Sequence, residues 1–91
     1  MKYRSRMDII TQILEIARQE TTKTKIMYGA YITYSQLNEY IPYLLENKLL
    51  ALKDGTDLYR LTEKGYKLLN KCKELDEITN FRETQTSLPK K

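Results

Sequence analysis

Histidine is missing from this 91-residue chain, and cysteine occurs once, at Cys72. Those two counts exclude an intrachain disulfide, a Cys/His zinc site and the Ser-His and Cys-His nucleophile pairs. Long apolar runs are missing as well. The longest, Leu49-Leu50-Ala51-Leu52, falls far short of the roughly 20 residues that cross a bilayer, and the N-terminus has no apolar signal segment. A soluble, cytoplasmic protein with no membrane partner is expected. For catalysis only carboxylates remain, and they stand beside lysines, as in Glu63-Lys64 and Lys73-Glu74, the pattern of a solvated helix surface. No pair has a spacing that suggests a perturbed acid. The expectation is therefore a protein that is not an enzyme, with no metal, cofactor or small-molecule substrate.

What the chain does have is a globular balance of 41% hydrophobic and 31% charged residues, enough apolar material for one small core and too little length for two. Sixteen Lys and Arg against twelve Asp and Glu give a net charge of +4, an excess that favours a polyanionic partner. The charge is grouped: Lys2, Arg4 and Arg6 open the chain, Lys90 and Lys91 close it, and Lys23 and Lys25 lie in a stretch from Thr21 to Asn38 without a single carboxylate.

Hydrophobic spacing divides the chain into six elements. Ser5 and Asp8 form a capping-box pattern ahead of Ile9, Ile10, Ile13, Leu14, Ile16 and Ala17, a broad helical stripe ending near Thr21-Thr22. Thr22 or Thr24 can cap a short second helix with Ile26, Met27 and Ala30 inward and Gly29 suited to its end. Tyr31-Ile32-Thr33 alternates and suggests a short extended piece. Thr33 or Ser35 then caps a third helix whose inward face is Leu37, Ile41, Leu44 and Leu45, and Pro42 predicts a bend between Asn38 and Pro42, since an interior proline costs ~3 kcal/mol in a straight helix. Two strand-like runs, Leu49 to Lys53 and Leu58 to Leu61, flank the turn sequence Asp54-Gly55-Thr56-Asp57 and predict a hairpin. Thr62 caps a last helix with Leu68, Leu69, Cys72, Leu75 and Ile78 at spacings of three and four.

This order predicts an α+β, mainly helical fold: a winged helix-turn-helix with a long C-terminal helix. Residues 1–4 read as a basic arm, 5–61 as the winged domain, 62–82 as a dimerisation helix and 83–91 as a disordered basic tail. The segments Thr22-Lys23-Thr24-Lys25-Ile26-Met27-Tyr28, Ile32-Thr33-Tyr34-Ser35-Gln36-Leu37, Leu44-Leu45-Glu46-Asn47-Lys48-Leu49-Leu50 and Tyr59-Arg60-Leu61-Thr62-Glu63-Lys64-Gly65 resemble the small archaeal winged-helix DNA-binding proteins, over roughly residues 5 to 80. The resemblance implies a transcription regulator or chromatin-associated protein that dimerises through its last helix as an antiparallel coiled coil.

A helix fits the major groove, with base edges read near its N-terminus. Ser35, Gln36, Asn38 and Glu39 are the candidates for base contacts, and Lys23, Lys25, Tyr34, Tyr43, Lys53 and Arg60 for the DNA backbone. The bland reading of Ser35, Gln36 and Asn38 is a cap and ordinary solvent-facing residues. Asp54 and Asp57 at the hairpin tip would be repelled by phosphates. Tyr28, Tyr31 and Tyr40 are expected at the edge of the core with wet hydroxyls, in preference to stacking on single-stranded bases. Leu68, Leu69, Cys72, Leu75 and Ile78 form the expected homodimer seam, with Cys72 a small buried hydrophobe within it. The partner is expected to be double-stranded DNA. A winged-helix module for protein contacts is the alternative, and it would call for apolar anchors on the third helix.

Overall fold

The computed structural model describes the backbone of residues 5–87 and the side chains of residues 5–75. In chain order the elements are α1 (Arg6–Ile16), α2 (Lys23–Ala30), α3 (Tyr34–Glu46), β1 (Leu50–Leu52), β2 (Tyr59–Leu61) and α4 (Glu63–Ser87). This is the mainly helical winged helix-turn-helix order.

Side-chain caps define each helix start. Ser5 accepts from the Asp8 amide while the Asp8 carboxylate accepts from the Ser5 amide, at 3.1 and 3.0 Å, and Thr33 and Gln36 repeat the arrangement at α3. Both satisfy amides that the first helical turn leaves without partners. The cap of α2 is Thr22, and that of α4 is Thr62, which accepts from the Gly65 amide at 2.9 Å. Helices α2 and α3 end alike. Tyr31 and Lys48 take left-handed backbone angles, φ 55° and 61°, while the amides of Ile32 and Leu49 reach back to the carbonyls of Met27 and Leu44. Glycine is the usual occupant of this position, because a side chain there crowds the backbone.

The hairpin pairs Leu50 with Leu61, Ala51 with Arg60 and Leu52 with Tyr59. It is tied to the helices through Thr21, which exchanges backbone hydrogen bonds with Tyr59 at 2.9 and 2.7 Å. Ile13, Leu14, Ile26, Leu37, Leu44 and Leu69 fill the centre of one core shared by all four helices and the hairpin.

Several local expectations need correction. Tyr31-Ile32-Thr33 does not form an extended piece, because the left-handed turn at Tyr31 leaves one residue before the Thr33 cap; it is Thr21 that bridges to the hairpin. Helix α1 stops at Ile16, short of Thr21, because residues 17–21 run beside β2. Gly29 lies inside α2, where a Cβ would sit 2.7 Å from Ile16 Cδ1, so its role is close helix approach. Helix α3 passes through Pro42 without interruption. Helix α4 continues past 82 to Ser87; the remainder of the expected tail, 88–91, and the basic arm, 1–4, lie outside the described residues.

Two substitutions test these packing and backbone roles by chemical unfolding. Gly65→Ala is expected to destabilise by about 1–3 kcal/mol, because the new methyl collides with the Leu49 carbonyl and lies 2.6 Å from Leu61 Cδ1; on helix propensity alone it would stabilise. Lys48→Gly is expected to stabilise by about 0.5–1 kcal/mol through relief of the left-handed strain.

Candidate nucleic-acid interface

The inward face of α3 consists of Leu37, Tyr40, Ile41 and Leu44, which turns Ser35, Asn38, Glu39 and Tyr43 to solvent. Ser35 is not the cap, so its hydroxyl is available on the first turn. Gln36 is different. It is half-buried, and its side-chain oxygen accepts from the Thr33 amide at 3.0 Å and the Thr33 hydroxyl at 3.4 Å, so a base contact through that oxygen would unmake the cap of α3. Of the four candidate base-reading residues, Ser35, Asn38 and Glu39 are presented freely and Gln36 is held.

Lys23 and Lys25 occupy the first turn of α2, which contains no acidic residue. Cations at the positive end of a helix dipole are disfavoured, by typically 0.3–1 kcal/mol each. The arrangement concentrates positive potential where backbone amides already point outward, the setting in which phosphate groups bind. Thr22, Lys23 and Thr24 line a recess of about 260 Å³ with Leu52, Thr56, Asp57 and Tyr59, so the start of α2 and the hairpin share one surface. Within the hairpin, Lys53 is paired with Glu20 at 3.5 Å, which offsets its charge, while Arg60 is exposed on β2. Tyr34 is exposed at the start of α3.

Helix α4 divides the expected dimer seam. Leu69 is 1% exposed and belongs to its own chain's core, so it is not available to a partner. Leu68 is partly buried against that core, Cys72 is half-buried, and Leu75 is 61% exposed. The side chain of Ile78 lies outside the described residues. Lys73 pairs with Glu15 of α1 at 3.2 Å and orients this part of the helix. A groove between α3 and α4 is not foreseen from the sequence: Tyr43, Asn47 and Leu49 line it with Lys64, Lys67, Leu68 and Lys71. The spacing of its three lysines, one face of a helix, was the available signal. Tyr28 and Tyr31 correct the remaining expectation, since they are 70% and 83% exposed while Tyr40 is buried.

Among the described residues no group of three or more acidic or cysteine side chains could hold a metal ion, and no helix is long and apolar enough to cross a membrane.

A sequence profile of the winged helix-turn-helix family matches residues 3–80. An uncharacterized protein of Methanocaldococcus jannaschii is 41% identical over 73 residues, which are 79% of this chain and 34% of that protein, so the chain spans about a third of that relative's length. A second uncharacterized protein of the same organism is 37% identical over 80 residues, covering 87% of this chain and 80% of the relative. The fold is similar to the crystal structure of Sso10a-2, a DNA-binding protein from Sulfolobus solfataricus, with a TM-score of 0.72 and 32% identity over 92% of this chain and 87% of that one. With its four helices and two-stranded hairpin in this order, and with archaeal proteins as its relatives, the chain belongs to the winged helix-turn-helix family.

Proposed function

We propose that the protein binds double-stranded DNA as a homodimer, with α3 in the major groove and the start of α2 on the flanking backbone, and that it acts as a transcription regulator or chromatin-associated protein in the cytoplasm without enzymatic activity. One observation carries the reading: Lys23 and Lys25 sit on the positive end of α2, in a stretch free of carboxylates, next to a helix whose exposed first turns offer Ser35 and Asn38. Asn can pair bidentately with adenine and Ser can bond bases or phosphate, while the lysines and the hydroxyls of Tyr34 and Tyr43 suit phosphate oxygens. Arg60 adds a cation from the hairpin; Lys53 joins it only by leaving Glu20. The DNA-binding character of the Sulfolobus relative supports the same reading.

Dimerisation through α4 rests on Leu75, which is 61% exposed, with Leu68 and Cys72 on the turns before it, an apolar stripe that a partner would cover. Charge along α4 supports an antiparallel orientation. Lys64, Lys67, Lys71 and Lys73 occupy its first half against Glu63 and Glu74, whereas Asp76, Glu77 and Glu83 occupy its second half against Arg82. An antiparallel pair sets each basic half against an acidic half, and a parallel pair sets like against like.

Fluorescence anisotropy on random-sequence duplex DNA across a salt series tests the DNA reading. Binding is expected to weaken linearly in log salt, and replacing Lys23 and Lys25 by Ala should reduce the slope by about 1.8, near 0.9 for each phosphate no longer neutralised. Absence of binding at low salt would overturn it. For the dimer, sedimentation of the Leu75→Glu variant is expected to show a folded monomer with at least tenfold weaker association than the parent; an unchanged mass would remove α4 from the interface.

A further inference from the structure

Three tyrosines stand on the segment joining α2 to α3, and the proposed duplex contacts use only one of them. Tyr28, Tyr31 and Tyr34 are 70%, 83% and 68% exposed. They follow one another at intervals of three residues, from the last turn of α2 through the left-handed turn to the first turn of α3. Lys25 lies one helical turn before Tyr28, so the two are neighbours on the surface of α2. The sequence from Thr21 to Asn38 contains no carboxylate; the one acid in the recess beside Lys23 is Asp57 of the hairpin. Tyr31 adds a backbone observation: its φ of 55° is one that glycine adopts without strain, yet the chain places there a phenol ring that is almost wholly in water.

We propose that this patch binds unpaired nucleic-acid bases, with Tyr28, Tyr31 and Tyr34 as stacking platforms and Lys23 and Lys25 holding the phosphates of the same strand. In a duplex the base faces are stacked on each other and closed to side chains, so exposed rings with little hydrogen-bonding equipment gain most from a strand whose bases are open. Aromatic rings set beside a basic track are the combination that binds single strands, and stacking tolerates any base because every base offers a π-face. The occupant is therefore single-stranded or locally melted nucleic acid. The inference rests on the reading of the α2–α3 surface as a nucleic-acid face and extends it to a second class of ligand, recognised by rings and not by Ser35 and Asn38.

The test uses the full chain with a fluorescein-labelled oligothymidylate of about 20 nucleotides and a duplex of equal length, at the same low salt. Oligothymidylate binding is expected together with quenching of tyrosine emission, which no tryptophan obscures in this chain. Replacing Tyr28 and Tyr31 by Ala, which leaves Tyr34 in place, should weaken single-strand binding by roughly a hundredfold while duplex binding changes only a few fold, and replacing all three tyrosines by Phe should keep single-strand binding within a few fold. Circular dichroism shows whether the Ala variant folds; if it does not, the single Tyr28→Ala variant, expected to lose roughly tenfold, and the Phe variant decide. Failure of the parent protein to bind oligothymidylate overturns the proposal, as does a Phe variant that loses single-strand binding, since hydroxyl contacts to phosphate would then explain the tyrosines. Single-strand binding without duplex binding would sustain this inference while removing the duplex reading, and duplex binding alone would do the reverse.

Discussion

The junction at which α3 ends, the hairpin opens and closes, and α4 begins is held by the Thr62 hydroxyl and the carbonyls of Lys48 and Leu49. The Leu49 carbonyl accepts from the Thr62 amide at 3.2 Å and from the Thr62 hydroxyl at 3.1 Å. The same hydroxyl lies 2.6 Å from the Lys48 carbonyl and accepts from the Gly65 amide. A single side chain thus satisfies carbonyls stranded at the end of one helix and an amide stranded at the start of another, groups that would be costly to leave unpaired in a partly buried place. Gly65 allows the approach, since any side chain there would meet the Leu49 carbonyl. The direction in which α4 leaves the domain follows from this contact.

A second constraint is electrostatic and acts on α2. Its first turn carries two lysines where an acid would suit the helix better, and the short helix must be held by packing: Ile26 and Ala30 are fully buried, and Gly29 lets α1 come close. Folding stability and surface potential pull in opposite directions at this turn. A phosphate bound there would relieve the conflict, which ties the local energetics of α2 to the proposed function.

Much of the architecture was legible from side-chain chemistry alone. Hydrophobic spacing located all four helices, the Ser5–Asp8 box and Thr62 marked two helix starts, and Asp54-Gly55-Thr56-Asp57 marked the hairpin turn. The features that escaped depend on distant parts of the chain. Thr21 pairs with Tyr59 from the far side of α2 and α3 in sequence, which no local pattern encodes, and Leu69 joins the core because α4 folds back across α1 and the hairpin. Tyr31 and Lys48 escaped for another reason: left-handed helix ends are read from glycine, and neither is glycine. At the candidate interface, the lysines of α2 and the outward face of α3 followed from type and period, and the capping role of Gln36 is written in the box Thr33-Tyr34-Ser35-Gln36, whereas the exposure of Tyr28 and Tyr31 required the turn between the helices.

The hairpin is firm at its base and open at its end. Its root is held by Thr21, Ala17 and Leu49 through backbone hydrogen bonds, while at Gly55 a Cβ would meet nothing within 4 Å. Such a loop accepts added residues without disturbing the elements it connects. A spectroscopic label or a short peptide inserted between Asp54 and Gly55 would project from the body of the domain, offering a vantage point from which distances to α2 and α4 could be followed.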